Sequence, residues 1–270
     1  MYDLKSRREF ARRLAASLAA SLAAVLALGV LASPAGAAGA RKAGGPPEFW
    51  EAIHSDDVDR VQTLLLRGTD TNAVHPELGP AIVAAARDKA WKTVRLLAGL
   101  AGTKVDAPNK RGETALMIAA LHGQLDVVQL LVKRGAEVNR PGWGPLHYAA
   151  TNGHAAVVRY LLDENAYIDA QSPNRTTPLM MAARHKHPDV VRLLIEAGAD
   201  PTARNEAGLD AAGYLQRQGE PELAAWVRER AADYARRYGT LERPRTVEMI
   251  EQEKRRSERL EAPRLPGARD

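Results

Sequence analysis

The chain of 270 residues contains no cysteine. This absence excludes a thiol nucleophile, a structural disulfide and a cysteine-linked lipid anchor. It suits a soluble protein of an oxidising compartment whose core is large enough to fold without a covalent cross-link.

The chain also lacks a strong excess of charge of one sign. The formal net charge is +5, but residues 1–40 hold five basic and two acidic side chains, so removing their +3 leaves +2 for residues 41–270. So small an excess gives no general reason to expect nucleic acid as a partner.

No spacing in the sequence indicates a common active site. We find no serine, histidine and aspartate grouping, no glycine-rich phosphate loop and no carboxylate pair. His185 and His187 lie two residues apart, so at a helix end they point to different sides, and no third metal ligand lies nearby. Asp56, Asp57 and Asp59 are explained more simply as helix-start and capping residues. We expect no catalytic residue, no metal and no cofactor.

What the chain does contain is one pattern written four times, in residues 80–86, 114–120, 144–150 and 177–183. The leading apolar residues of the four copies are Ile82, Leu116, Leu146 and Leu179, at steps of 34, 30 and 33 residues. This period predicts a solenoid. Its units bury their apolar faces against one another, and the array offers an extended concave surface rather than a closed pocket.

Each copy has the signals of a helix pair. Thr177 can cap the first helix, and Pro178 suits its first position. Two adjacent alanines allow close packing, and Gly123 and Gly153 stand where the helix must end in a left-handed residue. A second helix follows, with an apolar stripe such as that of Val127, Val128, Leu130 and Leu131.

These residues resemble the ankyrin repeat, whose pattern runs Thr, Pro, Leu, His, any residue, Ala, Ala, with a later Gly and His. Residues 144–150 with Gly153 and His154 form the closest copy. The resemblance covers residues 48–228. It implies an all-α repeat fold, an ankyrin-repeat solenoid of about six helix-turn-helix units joined by short β-hairpin turns, with polar caps as the two outer units. It also implies a structural role for His147 and His154.

Three departures from the pattern stand out. Lys89 and Lys186 occupy the glycine position, so either each adopts a left-handed conformation at a cost of about 1 kcal/mol or the two turns differ. We expect the second and fifth units to be the looser ones. Between Asn139 and Leu146 there are three fewer residues than in the other units. The hairpin there is therefore short, and it carries Trp143.

The two ends of the chain differ from the repeats. Residues 1–40 are expected to be a signal peptide, and Arg7, Arg8 and Phe10 resemble the twin-arginine export signal. The protein would then be periplasmic or otherwise exported after cleavage; general secretion and an uncleaved membrane anchor are the alternatives. Residues 41–47 are a linker. Residues 229–270 are a charged tail, either helical between 245 and 261 or disordered, with a partner-docking helix as the alternative.

The resemblance also implies where a partner would bind, because ankyrin repeats use their hairpin tips and the exposed inner-helix positions just before the glycine. On this chain the tips are Lys110, Arg111, Glu113, Arg140, Trp143, Asn174 and Thr176. The helix positions are Arg87, Asp88, Leu121, His122, Thr151, Asn152, Arg184 and His185. Leu121 and Trp143 are apolar among cations, which favours a partner with an acidic rim around an apolar contact. Alternatively, Trp143 merely covers the shortened hairpin from within.

We therefore expect a protein that binds another protein with its concave face and is not an enzyme. The partner would be an exported enzyme, for which this chain is a scaffold or helper, or a toxin that this chain covers as an inhibitor or immunity protein. An enzyme is the alternative from a different class.

Overall fold

The computed structural model describes residues 44–238. Its helices are α1 Pro47–His54, α2 Val58–Leu66, α3 Ala81–Arg87, α4 Trp91–Gly99, α5 Ala115–Leu121, α6 Leu125–Lys133, α7 Pro145–Thr151, α8 Ala155–Asp163, α9 Pro178–Arg184, α10 Pro188–Glu196, α11 Ala211–Arg217 and α12 Pro221–Tyr238. Two short strands, β1 Val74–His75 and β2 Gly79–Pro80, lie between α2 and α3. Consecutive helices pair into six units, numbered 1 to 6, which confirms the all-α repeat array predicted from the sequence.

The odd-numbered helices pack against one another through the array and form its inner layer, while the even-numbered helices form the outer layer. Three of the six inner helices begin at a side-chain cap. The Thr114 hydroxyl accepts a hydrogen bond from the Met117 N–H at 3.4 Å, Thr177 caps α9 in the same way, and Asp210 caps α11. Ala119 and Ala120 are fully buried. A larger side chain at either position would push neighbouring units apart.

The outer helices bury the stripe that the sequence predicted. In α6, Val127, Val128 and Leu131 are fully buried and Leu130 is half-buried. Equivalent residues in the other units join them in one core cluster that continues from unit 1 to unit 6. No unit could bury this much apolar surface alone, so the stack itself supplies the core.

A loop that we call the finger precedes each inner helix from unit 2 onward. Within residues 44–238, regular strands form only in the finger of unit 2, where β1 and β2 pair antiparallel. The fingers of units 3, 5 and 6 are each closed by two backbone hydrogen bonds that involve Asn109, Ser172 and Asn205. The N–H of each donates to the carbonyl four positions later at 3.0 Å, and its carbonyl accepts from the N–H three positions later at 2.8 to 2.9 Å. The finger of unit 4 is the shortened one.

The turn after each inner helix shows which conformation the two lysines at the glycine position adopt. Lys89 and Lys186 both have φ = 60°, close to the 66° of Gly123, so the lysines adopt the same left-handed conformation. A Cβ on Gly123 would lie 2.5 Å from Nδ1 of His154 in the next unit. The residues that replace this histidine in the units after Lys89 and Lys186 are Gln124 and Glu220. Glycine is thus required where the next unit supplies a histidine.

A ladder of side-chain amides and carboxylates, which sequence reasoning missed, links the units. Asn72, Asp106, Asn139 and Asp169 occupy the same position at the start of four successive fingers. Each hydrogen bonds the backbone of the following unit, at 2.8 to 3.0 Å. These bonds satisfy backbone groups in the closing turns and fix the spacing between units.

The last helix is longer than the sequence indicated. α12 has 18 residues, twice the length of α10, and continues to Tyr238, ten residues past the boundary predicted at 228. Tyr234 is half-buried against the array. The predicted signal peptide and the proposed helix at 245–261 lie outside the described residues. Among residues 44–238 no helix has the length and apolar character needed to cross a membrane.

Candidate functional site

The fingers and the carboxyl ends of the inner helices form the surface on which the sequence placed its candidate residues, and we call it the inner face. It has two edges. The finger edge lies at the start of each inner helix, and the turn edge lies at its end. A helix of seven residues separates them by about 10 Å. The predicted group of Leu121, Trp143 and surrounding cations is therefore divided, because Trp143 lies at the finger edge while Leu121 and Arg184 lie at the turn edge.

Trp143 occupies the shortened finger of unit 4. Its ring meets that of His147 edge-on, with the centroids 5.3 Å apart. It is nevertheless 36% exposed, although His147 beneath it is fully buried. Trp143 thus covers part of its own finger and also presents an aromatic surface to solvent.

The other finger residues divide by exposure. Lys110 and Arg111 are exposed at the tip of the unit 3 finger. Glu113 is half-buried and accepts a hydrogen bond from the Asn109 amide at 2.7 Å, and Arg140 is half-buried and lies 3.2 Å from a Glu137 carboxylate oxygen.

Two predicted contact residues lie in the unit 5 finger. Asn174 is exposed, but its backbone carbonyl accepts from Glu206 of the next finger at 3.1 Å. Thr176 is only 2% exposed. Its carbonyl is held by His147, at 3.0 Å from Nε2, so Thr176 offers a partner almost no surface and serves the contact between units 4 and 5.

At the turn edge, charged side chains lie in units 2 and 5. In unit 2, Arg87 is half-buried and Asp88 lies 3.2 Å from Nδ1 of His54. In unit 5, Arg184 and His185 are exposed. Burial, followed by the nearby Arg184 charge, lowers the pKa of His185 below its ordinary value of 6.5.

The middle of the turn edge is uncharged and joined by hydrogen bonds between units. The Asn152 amide and the His154 ring both bond the Leu121 carbonyl, at 2.8 and 2.9 Å. The Thr151 carbonyl lies 2.8 Å from Nε2 of His187 in unit 5, while the Thr151 hydroxyl donates to the His147 carbonyl within α7 at 2.7 Å. Burial, then Lys89, lowers the pKa of His122, which favours its neutral form. Thr151 and Asn152 therefore hold the array together as well as lining the face.

The histidines act as structural ties. His147 accepts from the Gly144 N–H at 3.2 Å through Nδ1, so its Nε2 carries the hydrogen that the Thr176 carbonyl accepts. His187 Nε2 lies 2.8 Å from the Thr151 carbonyl. The role that the resemblance implied for His147 and His154 is confirmed. In the described part of the chain, no three histidine, aspartate or glutamate side chains are arranged to hold a metal ion.

The aspartates near the amino end act as caps, as predicted, but one of them does so across units. Asp57 accepts from the Arg60 N–H at 3.0 Å and starts α2. Asp56 accepts from the Thr93 N–H at 2.8 Å and so caps α4 of the next unit.

Sequence reasoning missed three cations of the inner face: Arg175 at the tip of the unit 5 finger, and Lys89 and Lys186 at the turn edge. All three are exposed. In the sequence, the two lysines stand out only as departures from the repeat. The signal that could have identified all three is alignment of the units, because each stands where another unit has glycine.

Comparison with known proteins identifies the repeat. A family model described as ankyrin repeats (3 copies) matches residues 49–141 and 139–205. A putative ankyrin repeat-containing protein of Treponema pallidum (strain Nichols) is 31% identical over 131 residues, which cover 47% of this chain and 44% of that protein. The tyrosine-protein kinase Shark of Drosophila melanogaster is 36% identical over 107 residues, 38% of this chain and 11% of the kinase.

The ankyrin repeat and KH domain-containing protein mask-1 of Caenorhabditis elegans is 43% identical over 157 residues, which cover 54% of this chain and 6% of that protein. The chain therefore spans less than half the length of each of these curated relatives.

Proposed function

We propose, from the premise that this chain belongs to the ankyrin-repeat family, that it binds another protein through its inner face and catalyses no reaction of its own. Ankyrin arrays generally act as protein-interaction scaffolds, although the fold does not identify a partner. The observation that carries the proposal is the exposed set of Lys110, Arg111 and Arg184 with the solvent-facing part of the Trp143 ring, because these surfaces face water and lie outside the core.

A crosslinking pull-down with the full chain tests this proposal. Trp143→Ala combined with Arg184→Ala should leave the helical circular dichroism spectrum unchanged and abolish capture of the partner. A matched control replaces an exposed aromatic and an arginine outside the face, Tyr167→Ala with Arg159→Ala, and should retain the partner. Equal recovery by the two double variants would show that the partner binds elsewhere.

We also propose that the partner is an exported enzyme or a toxin. A scaffold and an inhibitor would use the same surface, so partner activity has to separate them. Saturating amounts of this chain should leave or raise the activity of an enzyme that it assists, and should suppress that of a toxin that it covers.

Export is a further part of the proposal. It is supported by the sequence of residues 1–40, with its basic start, its run rich in alanine and leucine, and the small residues near 35–40. Cell fractionation with amino-terminal sequencing should find a shortened chain outside the cytoplasm. Arg7→Lys with Arg8→Lys should leave an uncleaved precursor inside if the route is twin-arginine, whereas unchanged export would assign general secretion.

A further inference from the structure

Three cations of the inner face adopt a left-handed backbone conformation where another unit has glycine. Lys89 and Lys186 have φ = 60° and Arg175 has φ = 61°. Left-handed residues other than glycine are uncommon, and Asn, Asp and His are the types enriched among them. Of the five among the described residues, these three are the cations, and all lie on the inner face. A strained conformation retained at an exposed position indicates a role for the side chain.

The stack itself has no use for the two lysines. Both side chains are exposed, and among residues 44–238 no carboxylate oxygen lies within 4 Å of either ammonium group. The next units lack the histidine that would exclude a Cβ, so a side chain is permitted there, but glycine would fit with less strain.

The lysines belong to two cation pairs in identical register. Arg87 and Lys89 form one pair in unit 2, and Arg184 and Lys186 form the other in unit 5. The two positions are uncharged in the intervening units, where they hold Leu121 and Gly123, then Thr151 and Gly153. Neighbouring helices pack about 10 Å apart, so three steps separate the pairs by about 30 Å.

The acidic neighbour of these pairs is engaged within the protein. Asp88 lies between Arg87 and Lys89 in the sequence, but its carboxylate is 3.2 Å from His54 of unit 1. The corresponding residue of unit 5 is His185, which carries no negative charge. The turn edge therefore presents two positive ends with an uncharged centre.

We propose that Arg87 and Lys89 together with Arg184 and Lys186 form a two-point clamp for an acidic protein partner, which presents two carboxylate clusters about 30 Å apart. This inference rests on the proposed function, because it gives the chemistry of the partner that the inner face binds. A protein fits better than nucleic acid, whose evenly spaced phosphates call for a continuous basic stripe rather than two separated pairs.

Defined acidic peptides test the clamp on the full chain. The first probe has two blocks of four glutamates joined by ten prolines, a semi-rigid spacer of about 31 Å. The second has a spacer of three prolines, and the third has glutamines in place of the glutamates of the first. Fluorescence anisotropy should show that the long probe binds at least about fivefold more tightly than the short one, because only the long one reaches both pairs. The glutamine probe should not bind.

The variant Lys89→Gly with Lys186→Gly gives the sharpest test. It should lose the preference for the long probe and yet raise Tm by about 2–4 °C per substitution, because glycine relieves the backbone strain. The matched control, Lys92→Ala with Lys133→Ala, removes two lysines from outer helices and should keep the preference. Lys89→Arg with Lys186→Arg leaves the charges in place and should also retain the preference for the long probe.

Equal affinity for the two acidic probes, or an undiminished preference in the glycine variant, would overturn the clamp. The clamp would also be overturned if a 20-base-pair DNA duplex bound more tightly than the long probe. A lower Tm of the glycine variant would overturn it as well. If the preference fails while partner capture still depends on Trp143, the clamp is wrong and the proposed function stands. If the preference holds but Trp143→Ala retains the partner, the proposed finger-edge contact is wrong.

Discussion

One backbone position, in the turn between inner and outer helix, is left-handed in all six units but is not always glycine. It is glycine in units 3, 4 and 6, lysine in units 2 and 5, and Asp56 in unit 1. The choice depends on the next unit, because a histidine there occupies the space of a Cβ. Identity at this position is therefore coupled between units, and no single repeat reveals it.

Gly123→Ala measures this coupling. The added Cβ would lie 2.5 Å from His154 Nδ1, and φ is 66°, so we expect a loss of about 2–4 kcal/mol in the free energy of unfolding. Gly219→Ala is the matched control, because φ is 77° but nothing lies within 4 Å. It should lose only about 1 kcal/mol, the strain contribution. Urea unfolding measures both variants. Equal losses in the free energy of unfolding would show that the contact with His154 does not exclude a Cβ at residue 123.

His147 should make stability depend on pH. Burial lowers its pKa below the ordinary 6.5, because the charged form of the ring would lose its hydration inside the array. The folded state then binds a proton more weakly than the unfolded chain, so the stability contributed by His147 is complete above about pH 6.5 and falls below it. His147→Gln should cost about 1–3 kcal/mol at pH 7.5.

The cost of His147→Gln should shrink at pH 5.5, because only the wild type loses stability through this group. His122 and His185, whose pKa values are also lowered, remain in both proteins and cancel in the difference. Urea unfolding of both proteins at pH 7.5 and pH 5.5 measures how the cost of His147→Gln changes. An equal cost at both would mean that His147 does not titrate in this range.

At the scale of elements, the inner helices are too short to be stable alone. From unit 2 to unit 6 each has seven residues, below the length at which an isolated helix persists in water. Their stability must come from packing, which is why a leading leucine or isoleucine and the paired alanines recur in each of the four copies. The fingers have less shared sequence, because those of units 3, 5 and 6 are closed by backbone hydrogen bonds, which most residue types can make.

Leu146→Ala tests the packing of α7. Leu146 is 3% exposed at the start of this helix, so the truncation should leave a cavity and cost about 2–5 kcal/mol. Leu66→Ala, at a residue that is 83% exposed at the end of α2, should change stability by less than about 0.5 kcal/mol. Thermal melting of both variants provides the comparison. A near-neutral Leu146→Ala would contradict the register of the repeats.

The repeats made the six helix pairs predictable, because leucine, alanine and glycine recur at fixed steps and each has one role in the unit. The burial of Thr176 was not predictable in this way. Its position in a finger tip suggested exposure, but His147 of the preceding unit reaches across to its carbonyl. The same holds for the cap that Asp56 provides for α4. Contacts between units are absent from the pattern within one unit, so the sequence could not predict which residues of the inner face these contacts bury.

At the scale of the whole molecule, the two ends of the array are closed differently. Unit 1 ends in α2, where only Val61 is fully buried and most other side chains face water. Unit 6 ends in α12, whose Trp226 ring is covered by the guanidinium groups of Arg192 and Arg230, at 4.7 and 5.6 Å from its centroid. A terminal unit has a neighbour on one side only, so its outer surface must be polar or covered by its own chain.

The length of α12 yields a prediction about where the folded array ends. Its second half forms one wall of a cleft of about 360 Å³, opposite the turn after α10, with Tyr234 half-buried there. A chain that stops at residue 228 loses this wall, including the Arg230 contact with Trp226. It should therefore melt about 2–5 °C below a chain that stops at 238. Calorimetry of the two truncated chains measures the difference.

A substitution at the end of the longer chain separates packing from length. Tyr238 is 73% exposed, so Tyr238→Ala in the chain that stops at 238 should leave Tm unchanged. Tyr234→Ala in the same chain should reproduce part of the loss, because its ring is half-buried against the turn after α10. If both truncated chains melt together, residues 229–238 add nothing to the array and its boundary lies at 228, where the sequence alone placed it.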